Sequence, residues 1–570
     1  MDNKTIIKLL KKTVALMELH DENEFKIKSY NSALFQLERF DGALENQTKA
    51  DLEAISGVGK SIASAIDEIN TKGQLTLHDE LESKTPEGIL EIMELKGVGA
   101  KKIKQLWQEM DITSIDQLFE IAENGELAKQ KGFGAKTAEN IKAAILLRRE
   151  NEGKLLYAQA EPVCQYFMDS IRAIDANVLV SPTGSFRRKM EIVDELTFLL
   201  GSDDFEHLSD ILSKIEGLEI DTKKSSPFSV RAKYERSDVI FLFCGADDFQ
   251  KQLFLTTGSP EHLAQEVKDG KSLKALLGFK KIKEEKEAYE LADLPYIAPE
   301  LREGTTNLDK IKADGLPKLI EMEDLKGILH NHSTYSDGQH TLAEMAQECQ
   351  RLGYEYLGIT DHSKSSFYYA NGLYENRVAD QQVEIDELNA NMAPFKIFKG
   401  IECDILPDGS LDYSNDVLAS FDFIVSSIHS AMSMDKIKAT ERVLKAVENP
   451  FTTILGHMTG RLLLKRPGYP VDHVVIIEAC AKNNVAIEIN ANPWRLDIDW
   501  RWINYAIEKG VMLSINPDAH KIEGYADMYY GLQVGRKGGL TKVNNLNSLS
   551  LKEIDEFFTK RKANALSMVS

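Results

Sequence analysis

The sequence predicts a multidomain α + α/β protein with a helical N-terminal region, a mixed α/β core and a C-terminal seven-stranded (β/α) barrel. Three observations carry this prediction. The 570 residues are enough for about four domains at roughly 150 residues each. Apolar residues in the first 150 positions recur at helical spacing. From about residue 316 onward, short apolar runs typical of buried strands alternate with amphipathic helices.

The composition excludes several classes of protein. With 43% hydrophobic residues the chain can bury a core, and no apolar run is long enough for a membrane span. The net charge of -21, from 69 basic and 90 acidic residues, excludes a protein that coats nucleic acid through overall positive charge. The five cysteines form no C-x-x-C pair, which predicts reduced thiols and a cytoplasmic location.

A Gly-hydrophobic-Gly turn between two helical segments occurs three times in the first 150 residues, in LEAISGVGKSIASAI, IMELKGVGAKKIKQL and LAKQKGFGAKTAENI. Two glycines permit a tight turn with positive φ and leave backbone N–H groups free to hold a phosphate. Ordinary helical hairpins are the alternative. The repeats resemble helix-hairpin-helix motifs, which implies DNA-backbone contacts without sequence reading. The expected contacts are Gly57, Gly59, Lys60, Gly97, Gly99, Lys101, Lys102, Gly132, Gly134 and Lys136.

Metal-ligating side chains follow the apolar runs of the C-terminal region, as in GILHNH, YLGITDH, FKGIECD, FIVSSIH, TILGH and SINPDAH. In a parallel barrel the carboxyl ends of the strands meet on one face, so these side chains are expected to converge. Imidazoles with a few carboxylates favour Mn²⁺, Zn²⁺ or Fe²⁺ over Mg²⁺ or Ca²⁺. The set predicts two or three divalent ions, and its members are His330, His332, Asp337, His362, Glu402, His429, His457, Asp518 and His520.

The segments HNHSTYSDG, GITDHS, GIECDI, SSIHS, GHMTGRLLLKRPGY, EINANPWRLD and SINPDAH resemble the metal site of a polymerase-and-histidinol-phosphatase (PHP) domain. Together with the three repeats and GSFRR, they make the chain similar to bacterial and archaeal family X DNA polymerases (PolX) over nearly its full length. The resemblance implies a trinuclear site and manganese-dependent 3′–5′ exonuclease activity in DNA repair, with apurinic-site endonuclease or 3′-end phosphoesterase activity as companions. Glu402, Asp518 and His332 are the predicted catalytic residues.

Six further polar residues lie beside the ligand motifs and are expected to orient the phosphate of a substrate. Arginine suits this task because its guanidinium can form two parallel hydrogen bonds to a phosphate. The six residues are Arg461, Arg466, Asn492, Arg495, Ser363 and Lys364.

The polymerase segment departs from its family. Gly184, Ser185 and Arg188 match the nucleotide-binding signature. Glu195 and Thr197, however, stand where the family has two metal-binding aspartates, and the third aspartate position falls on Ile240, two residues from Asp238. Two-metal phosphoryl transfer needs carboxylates. The sequence therefore predicts that templated polymerisation is lost and that the fold remains to position DNA.

The predicted domains are a helical DNA-binding region at 1–150, a degenerate palm-like nucleotidyltransferase domain at 151–245, a thumb-like segment and linker at 246–315, and a PHP barrel at 316–570. The predicted function is a DNA-processing metallohydrolase. Three alternatives stay open: an active repair polymerase with an exonuclease barrel, a small-molecule phosphatase similar to histidinol phosphatase, and a noncatalytic DNA scaffold. The oligomeric state is left open.

Overall fold

The computed structural model describes residues 1, 3–38, 40, 42–95 and 97–569. The chain forms two compact units, Met1–Glu152 and Gly153–Ser570. Each unit has its own hydrophobic core. The expected boundaries near 245 and 315 fall inside the second unit and stay predictions.

The first unit is built of helices around two adjoining cores. One core extends from Ile6 to Leu75 and the other from Leu16 to Ile145. The first helix contributes to both because its apolar residues continue along its whole length. The helices are α1 Asn3–Leu19, α2 Glu24–Leu37, α3 Lys49–Ala54, α4 Lys60–Lys72, α5 Thr76–Ser83, α6 Glu87–Met93, α7 Ala100–Lys104, α8 Ile115–Glu123, α9 Glu126–Lys129 and α10 Gly134–Glu150.

The second unit begins with a five-stranded mixed sheet in the order β2-β4-β7-β6-β5. Its core contains stacked aromatic rings, such as Phe198 against Phe241 on adjacent strands. The strands are β1 Leu155–Leu156, β2 Leu179–Pro182, β3 Ile192–Val193, β4 Leu196–Gly201, β5 Leu218–Ile220, β6 Ser229–Tyr234 and β7 Ser237–Cys244. The helices are α11 Tyr157–Ile174, α12 Gly184–Arg187 and α13 Phe205–Ser213.

Residues 246–315 add short helices and one hairpin around a separate small core. Arg302 is completely buried there and donates to Glu285 at 2.6 Å. The elements are α14 Phe249–Thr257, α15 Pro260–Ala264, β8 Glu266–Lys268, β9 Lys271–Ser272, α16 Leu273–Leu277, α17 Lys286–Glu290 and α18 Leu308–Asp314.

The last part of the chain confirms the predicted barrel of seven parallel strands, which follow one another around the sheet in chain order. A parallel bridge from Asn331 to Ala519 links the two ends of the sheet. The strands are β10 Gly327–Ile328, β11 Tyr356–Ile359, β12 Lys396–Asp404, β13 Phe423–Ser427, β14 Ile454–Leu455, β15 Ala486–Asn490 and β16 Leu513–Asn516.

The barrel strands are almost entirely buried, as expected for a parallel sheet covered by helices. The helices are α19 Leu342–Arg351, α20 Phe367–Ala370, α21 Glu375–Met392, α22 Asn415–Leu418, α23 Lys436–Val447, α24 His473–Asn483, α25 Trp500–Glu508, α26 Met528–Lys537 and α27 Leu551–Val569. Among the described residues, no helix has the length and apolar character needed to cross a membrane.

Candidate metal centre and nucleic-acid contacts

The nine predicted metal ligands lie at the carboxyl ends of barrel strands and converge around Glu402. This carboxylate lies 2.9 Å from His457 Nε2, 2.9 Å from His362 Nδ1 and 3.1 Å from His429 Nε2. It is also 3.4 Å from His330 Nε2. Because the ends of parallel strands meet at one face, residues separated by more than a hundred positions in the chain share one site.

The side chains form three groups that could each hold an ion. His332 belongs to two of these groups and His362 to two. One group combines His332, Asp337, His362 and His520, the second combines His330, His332 and Asp518, and the third combines His362, Glu402 and His429. Each group contains one carboxylate, and the two side chains shared between groups are histidines.

The donor set fits divalent metal ions. His330 Nε2, His362 Nδ1 and Glu402 Oε2 are fully buried side-chain atoms that form no hydrogen bond of acceptable geometry, although His362 Nδ1 and Glu402 Oε2 lie 2.9 Å apart. Leaving such atoms unpaired costs roughly 1–3 kcal/mol each, and a cation would use their lone pairs. Since the three atoms belong to the groups described above, the structure supports a metal-dependent centre of imidazole and carboxylate ligands.

The charges within the centre are strongly coupled. Burial alone would raise the pKa of Glu402, but the neighbouring His429, His330 and His362 lower it well below its usual range. Burial lowers the pKa of His332 to about 3, with contributions from His520 and His362. A deprotonated carboxylate and a neutral imidazole are the forms that bind metal.

Two acidic residues that the sequence prediction missed hold the histidines in place. Glu488 accepts from His330 Nδ1 at 2.6 Å and from the backbone N–H of His457 at 2.7 Å. Asp404 lies 2.8 Å from His429 Nδ1. A carboxylate on the far nitrogen of an imidazole fixes the tautomer, so that Nε2 faces the metal. A buried acidic residue within the apolar run AIEIN was the available sequence signal for Glu488.

Of the six residues predicted to contact phosphate, four have side chains that are already engaged by other groups of the protein. Ser363 is buried and donates to Asp412, and all three guanidinium nitrogens of Arg461 have partners in the loop at 495–499. Asn492 shapes the turn by accepting from the N–H of Trp494 at 3.0 Å. These three side chains are therefore engaged in the protein's own loops. Lys364 donates to Glu375 at 2.6 Å, which offsets its charge.

Arg466 and Arg495 are better placed to meet an anion. Arg495 Nε lies 3.4 Å from Asp518 Oδ2. The buried Nε of Arg466 has no hydrogen-bond partner, and none of the described carboxylates lies within ion-pair distance of its guanidinium. Burial, with the nearby charge of Arg495, lowers the pKa of Arg466. Two neighbouring cations beside a metal ligand provide the charge that a phosphate requires.

The helical unit contains the three glycine turns at the predicted places. Gly57, Gly97 and Gly132 have positive φ values of 82°, 90° and 91°. Gly59 and Gly99 adopt φ values of -83° and -77° as the N-terminal caps of α4 and α7. Gly134 does have positive φ.

Nothing inside the fold requires glycine at positions 59 and 99. A Cβ atom there would meet no atom within 4 Å, and neither helix has a side-chain cap. Serine or aspartate would stabilise such a helix start. An uncapped, exposed helix start without a side chain suits close approach of an anionic backbone. Lys60 and Lys101, at the start of the same helices, are exposed, as is Lys136 in α10.

In the segment predicted to be palm-like, the two residues that depart from the family pattern lie on adjacent strands. Thr197 on β4 lies directly opposite Ile240 on β7, beside the turn that begins at Gly184. Arg188 does not face an open pocket, because it pairs with Glu303 at 2.8 Å and donates to the carbonyl of Thr257. Glu303 also binds Lys537 from the barrel helix α26 at 2.7 Å.

Comparisons with known families define the class of protein. Residues 329–492 match the PHP domain, residues 1–75 a helix-hairpin-helix domain and residues 89–145 a SAM-like helix-hairpin-helix tandem. The chain therefore combines a PHP domain with helix-hairpin-helix motifs. Two of the nine ligands, Asp518 and His520, lie beyond the matched PHP range.

Relatives over longer stretches identify the family. The "DNA polymerase/3′-5′ exonuclease PolX" of Bacillus subtilis is 35% identical over 576 residues, covering 98% of this chain and 100% of that protein. A "probable phosphatase" of Thermoanaerobacter sp. strain X514 is 26% identical over 42% of this chain and 97% of its own length. Another, of Vibrio atlanticus, is 27% identical over 35% of this chain and 79% of its own length. The chain belongs to the PolX family.

Proposed function

We propose that the barrel of this chain is a manganese-dependent 3′–5′ exonuclease that acts on DNA in repair. The observation that carries the proposal is the convergence of the nine candidate ligands at one face of the barrel. Eight of them form the three groups that could each hold an ion, and His457 lies 2.9 Å from Glu402. The name of the Bacillus subtilis relative, which includes a 3′–5′ exonuclease, supports the same activity.

Divalent ions bound in the centre would lower the pKa of bound water and neutralise the scissile phosphate. His330, His332, Asp337, His362, Glu402, His429, His457, Asp518 and His520 would hold them. The remaining work belongs to the chain's own side chains. Glu488 and Asp404 orient the ligating histidines, and Arg495 and Arg466 supply cations for the phosphate of the substrate.

The helical unit would hold DNA without reading its sequence. The exposed glycine turns offer backbone N–H groups to phosphates, and the exposed lysines at the helix starts add local positive charge. Over residues 91–150 ten basic residues balance ten acidic ones, in contrast to the acidic whole. This local balance supports backbone contacts at the turns.

We also propose that the palm-like domain positions DNA and does not polymerise. Thr197 and Ile240 offer no carboxylate to a metal ion, and the guanidinium of Arg188 is paired with Glu303. Two-metal nucleotidyl transfer needs anionic ligands and a free cation for the triphosphate. A template–primer extension assay with nucleotides and Mg²⁺ or Mn²⁺ tests this. Template-dependent addition would refute it.

Separate labels on the two ends of single-stranded, recessed and abasic-site DNA test the nuclease proposal. We expect Mn²⁺-dependent shortening from the 3′ end by the purified full-length chain. His332→Ala should abolish cleavage and keep DNA binding, whereas His473→Ala, a histidine of the outer helix α24, should cleave normally. If none of these substrates is cut while a small phosphomonoester is hydrolysed, the small-molecule phosphatase alternative would replace the proposal.

A further inference from the structure

Four aromatic side chains are exposed in the loop that follows the metal ligand His362. They are Phe367, Tyr368, Tyr369 and Tyr374, and we call them the aromatic rim. Tyr368 is 93% exposed and Tyr369 is 58% exposed. Single exposed apolar residues need no explanation, but a contiguous exposed aromatic group usually marks a binding surface.

Hydrogen bonds connect the rim to the metal centre. The hydroxyl of Tyr369 lies 2.6 Å from Ser366 Oγ, and Ser366 donates to Asp404 at 2.5 Å. Asp404 is the carboxylate that holds His429. Burial raises the pKa of Tyr369 to about 12, to which the charges of Asp404 and Glu402 also contribute. One end of this side chain therefore meets the centre while its ring reaches solvent.

The loop is fixed at both ends to segments that carry metal ligands. The N–H of Leu373 donates to the carbonyl of His362 at 2.8 Å. Asn371 Nδ2 donates to the carbonyl of Ser336, next to Asp337, at 3.2 Å. At position 372 only glycine fits, because a Cβ atom would lie 2.0 Å from the carbonyl of Ser363. The rim therefore has a defined position relative to the ligands.

The rings support one another and leave one of them open to solvent. Phe367 lies 5.1 Å from Tyr374 and 5.6 Å from Tyr368, measured between ring centroids. Both contacts are tilted or edge-on, which are favourable aromatic arrangements. Phe367 thus holds Tyr368 in place while most of the Tyr368 ring stays exposed.

The two arginines beside the centre follow different strands from the rim. The rim follows β11, whereas Arg466 and Arg495 follow β14 and β15, three and four strands further around the sheet. A substrate in the centre would have cations on one side and aromatic rings on another. A nucleotide has this same division, because its phosphate is anionic and its base presents a π-face.

We propose that the aromatic rim stacks unpaired bases of the DNA strand whose terminal phosphodiester enters the metal centre. This rests on the proposed nuclease function and adds a base-binding surface beside its metal centre. Stacking tolerates any sequence because every base has a π-face. Exposed rings could instead bind an apolar protein surface. In that case DNA binding and cleavage would not depend on the rim contacting the bases.

The test compares two single-stranded oligonucleotides that differ only in whether the last three nucleotides at the 3′ end carry bases. Values of KM and kcat are measured in Mn²⁺ for the full-length wild type, Tyr368→Ala and Tyr368→Phe. Phe279→Ala is the matched control, because Phe279 is a fully exposed ring outside the barrel.

We expect Tyr368→Ala to raise KM about tenfold on the oligonucleotide with bases, as the loss of one stacked base predicts. Tyr368→Phe keeps the ring and should retain the wild-type KM, as should Phe279→Ala. On the abasic oligonucleotide the KM of Tyr368→Ala should be close to that of the wild type. The proposal would be overturned if Tyr368→Ala and the wild type had equal KM values on the oligonucleotide with bases. It would also be overturned if the substitution raised KM equally on both oligonucleotides.

Fluorescence anisotropy of the same oligonucleotides with the metal-free full-length protein measures stacking without cleavage. The same base-dependent loss of affinity is expected for Tyr368→Ala. If the wild type cleaves neither oligonucleotide, the nuclease proposal fails, and anisotropy still decides whether the rim binds bases. Affinity that is unchanged in Tyr368→Ala would overturn the rim proposal alone.

Discussion

The metal centre of the barrel and the palm-like segment belong to one compact unit but differ in how their polar and charged side chains are paired. In the barrel, buried ligand atoms such as His330 Nε2 and Glu402 Oε2 form no hydrogen bond within the protein. In the palm-like segment, Arg187 pairs with Glu285 at 2.6 Å and Arg188 with Glu303 at 2.8 Å. Ligand atoms without hydrogen bonds can bind an ion, whereas the charges of the palm-like segment are already offset within the protein.

The largest expected effect is the loss of the central carboxylate. Glu402→Gln keeps the shape of the side chain but removes the charge next to five histidines. We expect hydrolysis of DNA to fall about a thousandfold or more, since metal-assisted charge stabilisation is worth several kcal/mol. Single-turnover cleavage and bound-metal analysis measure the effect. Glu384→Gln, on helix α21 of the barrel, is the matched control, and activity near wild type in Glu402→Gln would contradict the assignment.

Removal of the metal ions tests whether the barrel centre contributes to the stability of the protein as well as to its activity. A ligand that binds only the folded state stabilises it by about 2.7 kcal/mol at a hundred times its dissociation constant. We expect Mn²⁺ to restore hydrolysis to the chelator-treated protein and to raise its melting temperature. The rise should be smaller in Glu402→Gln, which lacks the carboxylate of one of the three ligand groups. A rise equal to that of the wild type would show that Glu402 does not hold an ion.

Substitution of Glu488 tests whether the carboxylates that contact the ligating histidines contribute to metal affinity. It contacts His330 and the backbone of His457, and it is fully buried. Residues in this position typically change metal affinity or activity 10–100-fold, so Glu488→Gln should show a loss of about that size. Titration of the chelator-treated variant with Mn²⁺ gives the affinity. An affinity equal to that of the wild type would show that the contact only supports packing.

A double substitution in the helical unit is expected to raise the stability of the protein and to lower its affinity for DNA. In the double variant Gly59→Ser and Gly99→Ser, each new hydroxyl would cap a helix whose start is uncapped. Serine is a slightly better cap than glycine, so stability should rise by a few tenths of a kcal/mol. DNA affinity should fall several-fold because the caps compete with phosphates for the same N–H groups. Unchanged affinity would remove these turns from the DNA interface.

The smallest expected effect concerns the palm-like segment. Asp238 lies two residues before Ile240 on β7 and is exposed. If this segment is inactive, Asp238→Ala should change neither nucleotide incorporation, which should be undetectable in both proteins, nor DNA cleavage. Measurable incorporation by the wild type that the variant loses would show that this carboxylate binds a catalytic ion, and the contrast between the two regions would disappear.

Local sequence patterns were sufficient to predict the barrel, its seven strands and the nine candidate ligands. The reason is geometrical: in a parallel barrel, residues that follow successive strands share one face, so chain position specifies location. The same holds for the three hairpins, since each is a local turn between neighbouring helices. Which glycine of each turn has a positive φ was left open, because a glycine does not reveal by itself which allowed conformation it adopts.

Other features depended on which distant residues pack together. Glu488 and His330 are 158 positions apart, and Arg188 and Glu303 are 115 apart. Nothing in residue type or spacing selects such partners, because the pairing follows from how strands and domains pack. The exposure of Tyr368 is likewise a property of the folded loop. The sequence thus determined the classes of ligand and their common face, while the tertiary structure decided which charges are paired internally and which stay available for metal and DNA.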